Sequence, residues 1–186
     1  MQTDAELIFR SVEEPAAFAE IFERHYESIV GYLHRRLTSA LAEDQAAETF
    51  VIAFRRREEF DHTFSSAKPW LFGIASNLVR SSTRDERLRM SAYSRLPGST
   101  PEPAEASDVD SRLDASAMHD ELVDALLALR IEEREVLLLF SWGELSYAEI
   151  AEALTIPEGT VRSRLSRARS HILWQLAKTS ERIEAP

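Results

Sequence analysis

Apolar residues recur along this chain at helical spacing, not at the alternate positions of a strand. Phe18, Ile21, Phe22, Ile29, Leu33 and Leu37 return at the intervals that place them on one stripe of a helix. Ala46, Phe50, Ile52, Ala53 and Phe54 supply a second stripe. Trp70, Leu71, Ile74, Ala75 and Leu78 supply a third, which opens at Pro69, where a helix start tolerates proline. Phe60 to Lys68 is a polar loop of Asp, His, Thr and Ser between the second and third helices. The pattern then stops. LPGSTPEPAEASDVD, within Leu96 to Ala117, has almost nothing to bury and reads as a tether. Helical spacing resumes from His119 to Ala177. Leu122, Leu126 and Leu129 share one helix, Val136 to Phe140 centre a second, and two more follow.

The predicted fold class is therefore all-α: two small helical domains, residues 5–95 and 119–178, joined by a flexible acidic linker over 96–118 and followed by a tail over 179–186. A length of 186 residues has room for this, and only 5 glycines agree with helices. With no cysteine in the chain, disulfide frameworks, zinc–thiolate sites and thiol catalysis are excluded, and a reducing cytoplasm fits. The opening MQTDAELIFR carries acids where a secretory signal would be basic and then apolar, and no apolar run approaches a membrane span. His25, His34, His62, His119 and His171 are scattered without metal-ligand spacing, so no metal or other cofactor is expected. Asp44 and Glu48 share a helical face but lack a neighbouring base or a glycine-rich phosphate loop, and no nucleophile has a partner. The chain does not read as an enzyme.

The net charge of −10 argues at first against nucleic acid, but its distribution reverses that reading. Asp120 to Glu158 holds ten acids and two bases. Gly159 to Lys178 holds no acid and five bases: Arg162, Arg164, Arg167, Arg169 and Lys178. Residues 80 to 95 add five arginines against Asp85 and Glu86. Basic segments on an acidic body are the electrostatic footprint of phosphate binding.

The sharpest motif is SYAEIAEALTIPEGTVRSRLSRARSHIL, Ser146 to Leu173. Ser146 and Glu149 have the spacing of a capping box. Ile150, Ala151 and Leu154 face inward on a short helix, Thr155 and Ile156 turn the chain, and Pro157 starts a longer helix. This is a helix-turn-helix. At about 100° per residue, Val161, Leu165, Ala168 and Ile172 fall on one side of the second helix. Arg162, Ser163, Ser166, Arg169 and Ser170 fall on the other, with Arg167 beside them. Small hydroxyl residues between arginines let such a helix enter a major groove and reach base edges or phosphates.

This segment resembles region 4 of the sigma-70 family in its short extracytoplasmic-function (ECF) branch, and LLALRIEEREVLLLFSWGELSYAEIAEAL resembles the helices leading into it. AEDQAAETFVIAFRR (Ala42 to Arg56) is similar to region 2.2 of ECF factors, and AKPWLFGIASNLVRSSTR (Ala67 to Arg84) to their promoter-melting segment. The signatures stand in the family's order around an acidic linker and cover most of the chain.

The resemblance implies a cytoplasmic alternative sigma factor, nucleoid-associated in holoenzyme, with core RNA polymerase, promoter DNA and an anti-sigma factor as partners and no direct membrane insertion. Asp44, Glu48, Phe50 and Phe54 would contact the coiled coil of the largest polymerase subunit, although both phenylalanines could instead be core. Region 4 would meet the flap of the second large subunit. The loop containing Asp61, His62 and Lys68 would capture a flipped base of the −10 element, with Trp70, Asn77, Arg80 and Arg84 following, although Trp70 could equally be core because it begins an apolar stripe. Arg162, Ser163, Ser166, Arg167 and Arg169 would read the −35 element. The chain departs from the family pattern at Gln45, Ala47 and Pro157. It also departs at Thr155, a β-branched residue in a turn often made by glycine, where a strained or altered turn is expected. A helix-turn-helix regulator that is not a polymerase subunit would carry a receiver or ligand domain upstream, which the first block does not show. A pure interaction protein would not need the basic last helix.

Overall fold

The computed structural model describes residues 2–81 and 121–183, all of whose regular elements are helical. The proposed linker, its boundaries with the two helical blocks, and Arg84 lie outside the described residues. In the first unit, α1 (Asp4–Glu13), α2 (Ala19–His34), α3 (Ser39–Arg55) and α4 (Lys68–Ser81) are joined by short turns, two of them 3-10 helices at Pro15–Phe18 and Arg57–Glu59. In the second unit, a helix over 121–128 (α5) leads into α6 (Ile131–Ser141), α7 (Tyr147–Leu154) and α8 (Glu158–Ile183). No described helix is long and apolar enough to cross a membrane.

The apolar stripes become core. Ile21, Ile29, Leu33 and Leu37 are buried from α2 and the turn after it. Ala46, Phe50 and Ala53 are buried from α3, and Leu71, Ile74 and Ala75 from α4. α2 packs on α3 and α3 on α4, while α6 and α7 both pack on α8. The two units are also in contact, because α4 lies against α7. One continuous apolar cluster runs from Leu7 through Phe72 to Leu139 and Leu165.

Local chemistry fixes the helix ends. Thr3 and Glu6 form a capping box at α1. Asp4 ties three segments together by accepting hydrogen bonds from Arg24 at 2.9 Å, from the His25 ring at 2.7 Å and from the Ala67 backbone N–H at 2.8 Å. Burial alone would raise the Asp4 pKa, but the His25 and Ala67 hydrogen bonds outweigh it and hold the carboxyl at about 2. Its stabilisation is therefore complete above the ordinary value of 3.8 and lost as pH falls through about 2.

The expected strain at the helix-turn-helix is present. α7 ends at Thr155, whose φ of 53° and ψ of 49° are left-handed. In return the backbone N–H of Ile156 reaches the Ala151 carbonyl at 2.9 Å and closes the helix end.

Two stability outcomes follow from these contacts. Asp4→Asn removes the charge that Arg24 and His25 face, and should lower unfolding free energy by about 2 kcal/mol near neutral pH in urea titrations. Thr155→Gly relieves the left-handed strain against a smaller entropic loss, and should raise the melting temperature by the equivalent of about 0.5–1 kcal/mol.

Candidate functional site

The capping box anticipated at Ser146 forms. The Glu149 N–H donates to the Ser146 hydroxyl at 3.3 Å, and the Ser146 N–H donates to the Glu149 carboxylate at 2.8 Å. α7 is thereby started where Ile150 can be buried against α8. On α8, Val161, Leu165 and Ala168 are buried and Ile172 is partly buried. Arg162, Ser163, Ser166, Arg167, Arg169 and Ser170 are all exposed on the opposite face. The division into core and outer faces therefore matches the 100° periodicity.

Three of these arginines are held in position. Arg162 pairs with Glu158 at 2.8 Å, one turn earlier, and lies 5.9 Å from the Tyr147 ring. Arg167 reaches Glu133 on α6 at 2.9 Å. Arg169 lies over the Phe140 ring at 5.1 Å. The Arg162–Glu158 pair is exposed on both sides and therefore weak, so that guanidinium can exchange its carboxylate for a phosphate or a guanine edge; in the other pair Arg167 is exposed and Glu133 is buried.

The first unit presents two surfaces. The loop after Phe60 is ordered by Asp61, whose carboxylate accepts the Thr63 N–H at 2.9 Å; that bond holds the Asp61 pKa below its ordinary value. His62 is exposed and stacks edge-on between Phe9 at 5.7 Å and Phe60 at 5.4 Å. Trp70 is half-buried against Phe60 at 5.2 Å, and Asn77 and Arg80 are exposed further along α4. Lys68 turns toward the second unit, where its ammonium donates to the Glu144 carbonyl at 3.4 Å.

The other surface lies on α2 and α3. Asp44 and Glu48 are exposed. Beside them, Phe18, Phe22, Ala47, Phe50, Val51 and Phe54 line an apolar groove of about 390 Å³. Phe50 is only 5% exposed and packs on Phe22 with ring centroids 4.9 Å apart, so it forms the groove floor. Phe54 is half-buried, edge-on to Phe18 at 5.4 Å and beneath the Arg57 guanidinium at 4.2 Å. Phe22 and Val51, each 40% exposed, are the groove's open apolar surface. The sequence signal is partial: Phe22 falls on the first apolar stripe, which periodicity reads as core, and Val51 is a large apolar residue beside the second.

The chain carries the family models "Sigma-70 region 2" over residues 21–89 and "Sigma-70, region 4" over residues 119–172. It is 35% identical over 158 residues to the ECF RNA polymerase sigma factor SigL of Mycobacterium tuberculosis, covering 82% of this chain and 87% of that protein. The chain belongs to the ECF sigma factors. It is also 34% identical to the RNA polymerase sigma factor CarQ of Myxococcus xanthus, covering 81% of this chain and 84% of that one. Among solved structures it resembles CnrH in complex with the cytosolic domain of CnrY, with a TM-score of 0.66 and 23% identity over 94% of this chain and 97% of that one. It likewise resembles the sigma factor RpoE of Bartonella quintana in complex with the anti-sigma factor NepR, with a TM-score of 0.56 and 23% identity over 86% and 96% of the two chains. The all-helical fold is thus that of a sigma factor, and the protein is an alternative sigma factor that directs promoter-specific transcription initiation.

Within this sigma factor the two units meet at carboxylates. Burial raises the Glu152 pKa from 4.5 to about 7, with added repulsion from Glu149 on the same helix and Asp61 on the loop. Glu149 itself stays below its ordinary value, because its Ser146 hydrogen bonds outweigh burial. The raised Glu152 contributes stability that is complete below about 4.5 and is lost as pH rises through about 7. Glu152→Gln should therefore flatten the fall in urea midpoint between about pH 5 and pH 8, and leave the midpoint at the acid end nearly unchanged.

Proposed function

We propose that the surfaces of this sigma factor divide promoter recognition as follows. The outer face of α8, through Arg162, Ser163, Ser166, Arg167 and Arg169, reads the −35 element in the major groove. The loop with Asp61, His62 and Lys68, continued by Trp70, Asn77, Arg80 and Arg84, takes up the opened −10 element. Extruding a base costs a few kcal/mol of stacking, which a polar pocket with aromatic walls offsets. Asp44 and Glu48, beside the groove floored by Phe50 and edged by Phe54, dock the coiled coil of the largest polymerase subunit. Carboxylates at the rim and aromatics at the centre suit a partner that is basic around an apolar ridge.

The observation that carries this reading is the clean division of α8. Val161, Leu165 and Ala168 are buried, while a face bearing three arginines and three serines is exposed, with no acid between Gly159 and Lys178. A helix that is merely solvated mixes charge signs; this one is arranged for a polyanion. The protein acts by binding rather than by catalysis, in the cytoplasm and on the nucleoid within holoenzyme. CnrH and RpoE are each seen bound to a second protein, and an anti-sigma factor is proposed as a partner here too.

Paired variants test the division. Arg162→Ala or Arg167→Ala should reduce promoter-specific transcripts by about tenfold, corresponding to about 1–3 kcal/mol per base contact, with affinity for core polymerase intact. Asp44→Ala with Glu48→Ala should do the reverse, weakening capture by core polymerase in a pull-down titration. Asn77→Ala should slow strand opening, read by permanganate footprinting, more than it weakens the closed complex. Loss of polymerase binding from the α8 variants, or none from the α3 pair, would show the surfaces to be wrongly assigned.

A further inference from the structure

α1 precedes the sigma-70 region 2 segment, residues 21–89, yet it is built into the side of the polar loop after Phe60. The Asp4 backbone N–H donates to the Ser65 carbonyl at 3.1 Å, and the Asp4 carboxylate accepts the Ala67 N–H at 2.8 Å, so the start of α1 holds the far end of the loop. The Arg57 guanidinium, just before the loop, donates to the Ser11 carbonyl at 3.2 Å and holds α1 at the near end. Between these anchors α1 presents Phe9, which is 70% exposed. A lone exposed phenylalanine is ordinary on a protein surface. Phe9 is not alone. Its ring meets the His62 ring edge-on at 5.7 Å, His62 meets Phe60 at 5.4 Å, and Phe60 meets Trp70 at 5.2 Å. Rings from α1, the loop and α4 thus form one continuous row, buried at Phe60 and open to solvent toward His62 and Phe9.

We propose that Phe9 is a stacking platform for an unpaired base of promoter DNA, the neighbour of the base that the loop takes up. The inference rests on the assignment of that loop to the −10 element. Every base has a π face, so a platform of this kind holds a nucleotide without reading its identity. The charges around Phe9 decide which part of a nucleic acid it meets. Glu6 and Glu13 are exposed one turn to either side on α1, and Asp61 is exposed on the loop. These carboxylates repel phosphate, so the strand's backbone is kept off this face and an uncharged ring is admitted. His62 stands between the loop and Phe9, so successive nucleotides of one opened strand meet the loop and the platform in turn.

The platform acts on strand opening. In a duplex the faces of each base are covered by its neighbours, so Phe9 gains its contact only with an opened strand. An interaction made with one state alone shifts the equilibrium toward that state. The ring is also held before DNA arrives. Asp4 accepts from Arg24 at 2.9 Å and from His25 at 2.7 Å, which fixes α1 to α2 as well as to the loop. A side chain ordered in advance loses little freedom on binding.

The test uses holoenzyme made from bacterial core RNA polymerase and the full chain. The probe is a pool of forked DNAs, each with a duplex arm and a randomised unpaired strand. Strands that the holoenzyme retains are rebuilt with an abasic site at each position in turn. Phe9→Ala should weaken capture of a retained fork by about tenfold, the loss of one stacked base. One abasic position should weaken capture by the parent to a similar extent and add little to Phe9→Ala, because both changes remove the same contact. Phe9→Trp should restore capture, whereas Phe9→Leu, which keeps apolar bulk without a π face, should not. Affinity for core polymerase and for the fully paired DNA should be unchanged in all three variants. Position 9 is exposed on a helix, and alanine and leucine are good helix formers, so folding is preserved. No chain-dependent capture, unchanged capture by Phe9→Ala, full rescue by Phe9→Leu, or lost affinity for core polymerase would each overturn the proposal. Asn77→Ala separates it from the assignment on which it rests. Weakened capture in Asn77→Ala with none in Phe9→Ala rejects the platform and leaves the −10 assignment standing. Weakened capture in Phe9→Ala with none in Asn77→Ala supports the platform and counts against that assignment.

Discussion

Arg36 and Glu135 meet where water does not reach, and the arrangement of the two units follows from that meeting. Each charge would be costly to bury alone. Their pairing, with Tyr32 and Ser76 extending the network to α4, gives α2, α4 and α6 one shared set of hydrogen bonds. Around it the apolar surfaces of both units merge into one cluster, and α4 comes onto α7 at a separation that only Gly73 permits. Burial also acts on Tyr32, whose hydroxyl is pushed up to about 12 and so remains a neutral partner at any ordinary pH.

Such a protein has two demands on the same surfaces. On the proposed division of surfaces, α4 is to be buried on one side to position the residues after the polar loop and yet offer its other side to DNA. α8 solves the corresponding problem by periodicity alone, with Val161, Leu165 and Ala168 inside and the arginines outside. α4 is buried without a break from Leu71 through Ser76, because α2, α3 and α7 all pack on it. At the seam, partial burial and the neighbouring carboxylates of Glu149 and Asp61 raise the Glu152 pKa to about 7.

Much of this was legible in the sequence. The helices, the capping box at Ser146, the strained turn at Thr155 and the inner and outer faces of α8 all arise from local rules: spacing, capping and backbone sterics. The resemblance to sigma regions 2 and 4 rests on the same segments. What spacing could not reveal was long-range. Gly73 looks like an ordinary weak point in a helix until the Ala153 carbonyl is placed beside it. Arg36 and Glu135 are 99 residues apart, and nothing in the neighbourhood of either names its partner. One hint was present, since Arg36 sits directly before Leu37 at the end of the α2 stripe, where a charge implies a buried partner. The apolar groove was half legible: Phe50 and Phe54 were marked by resemblance, but the exposure of Phe22 and Val51 depends on how α2 leans on α3.

This chain confers promoter specificity on RNA polymerase. Run-off transcription from a pooled promoter library, with bacterial core enzyme and the purified full chain, tests it most directly. Discrete transcripts that depend on the protein and share a −35 and a −10 sequence at fixed spacing are the predicted result. No protein-dependent transcript, together with sequence-specific DNA binding in the absence of core enzyme, would contradict the account and make the protein a helix-turn-helix regulator that works outside the polymerase.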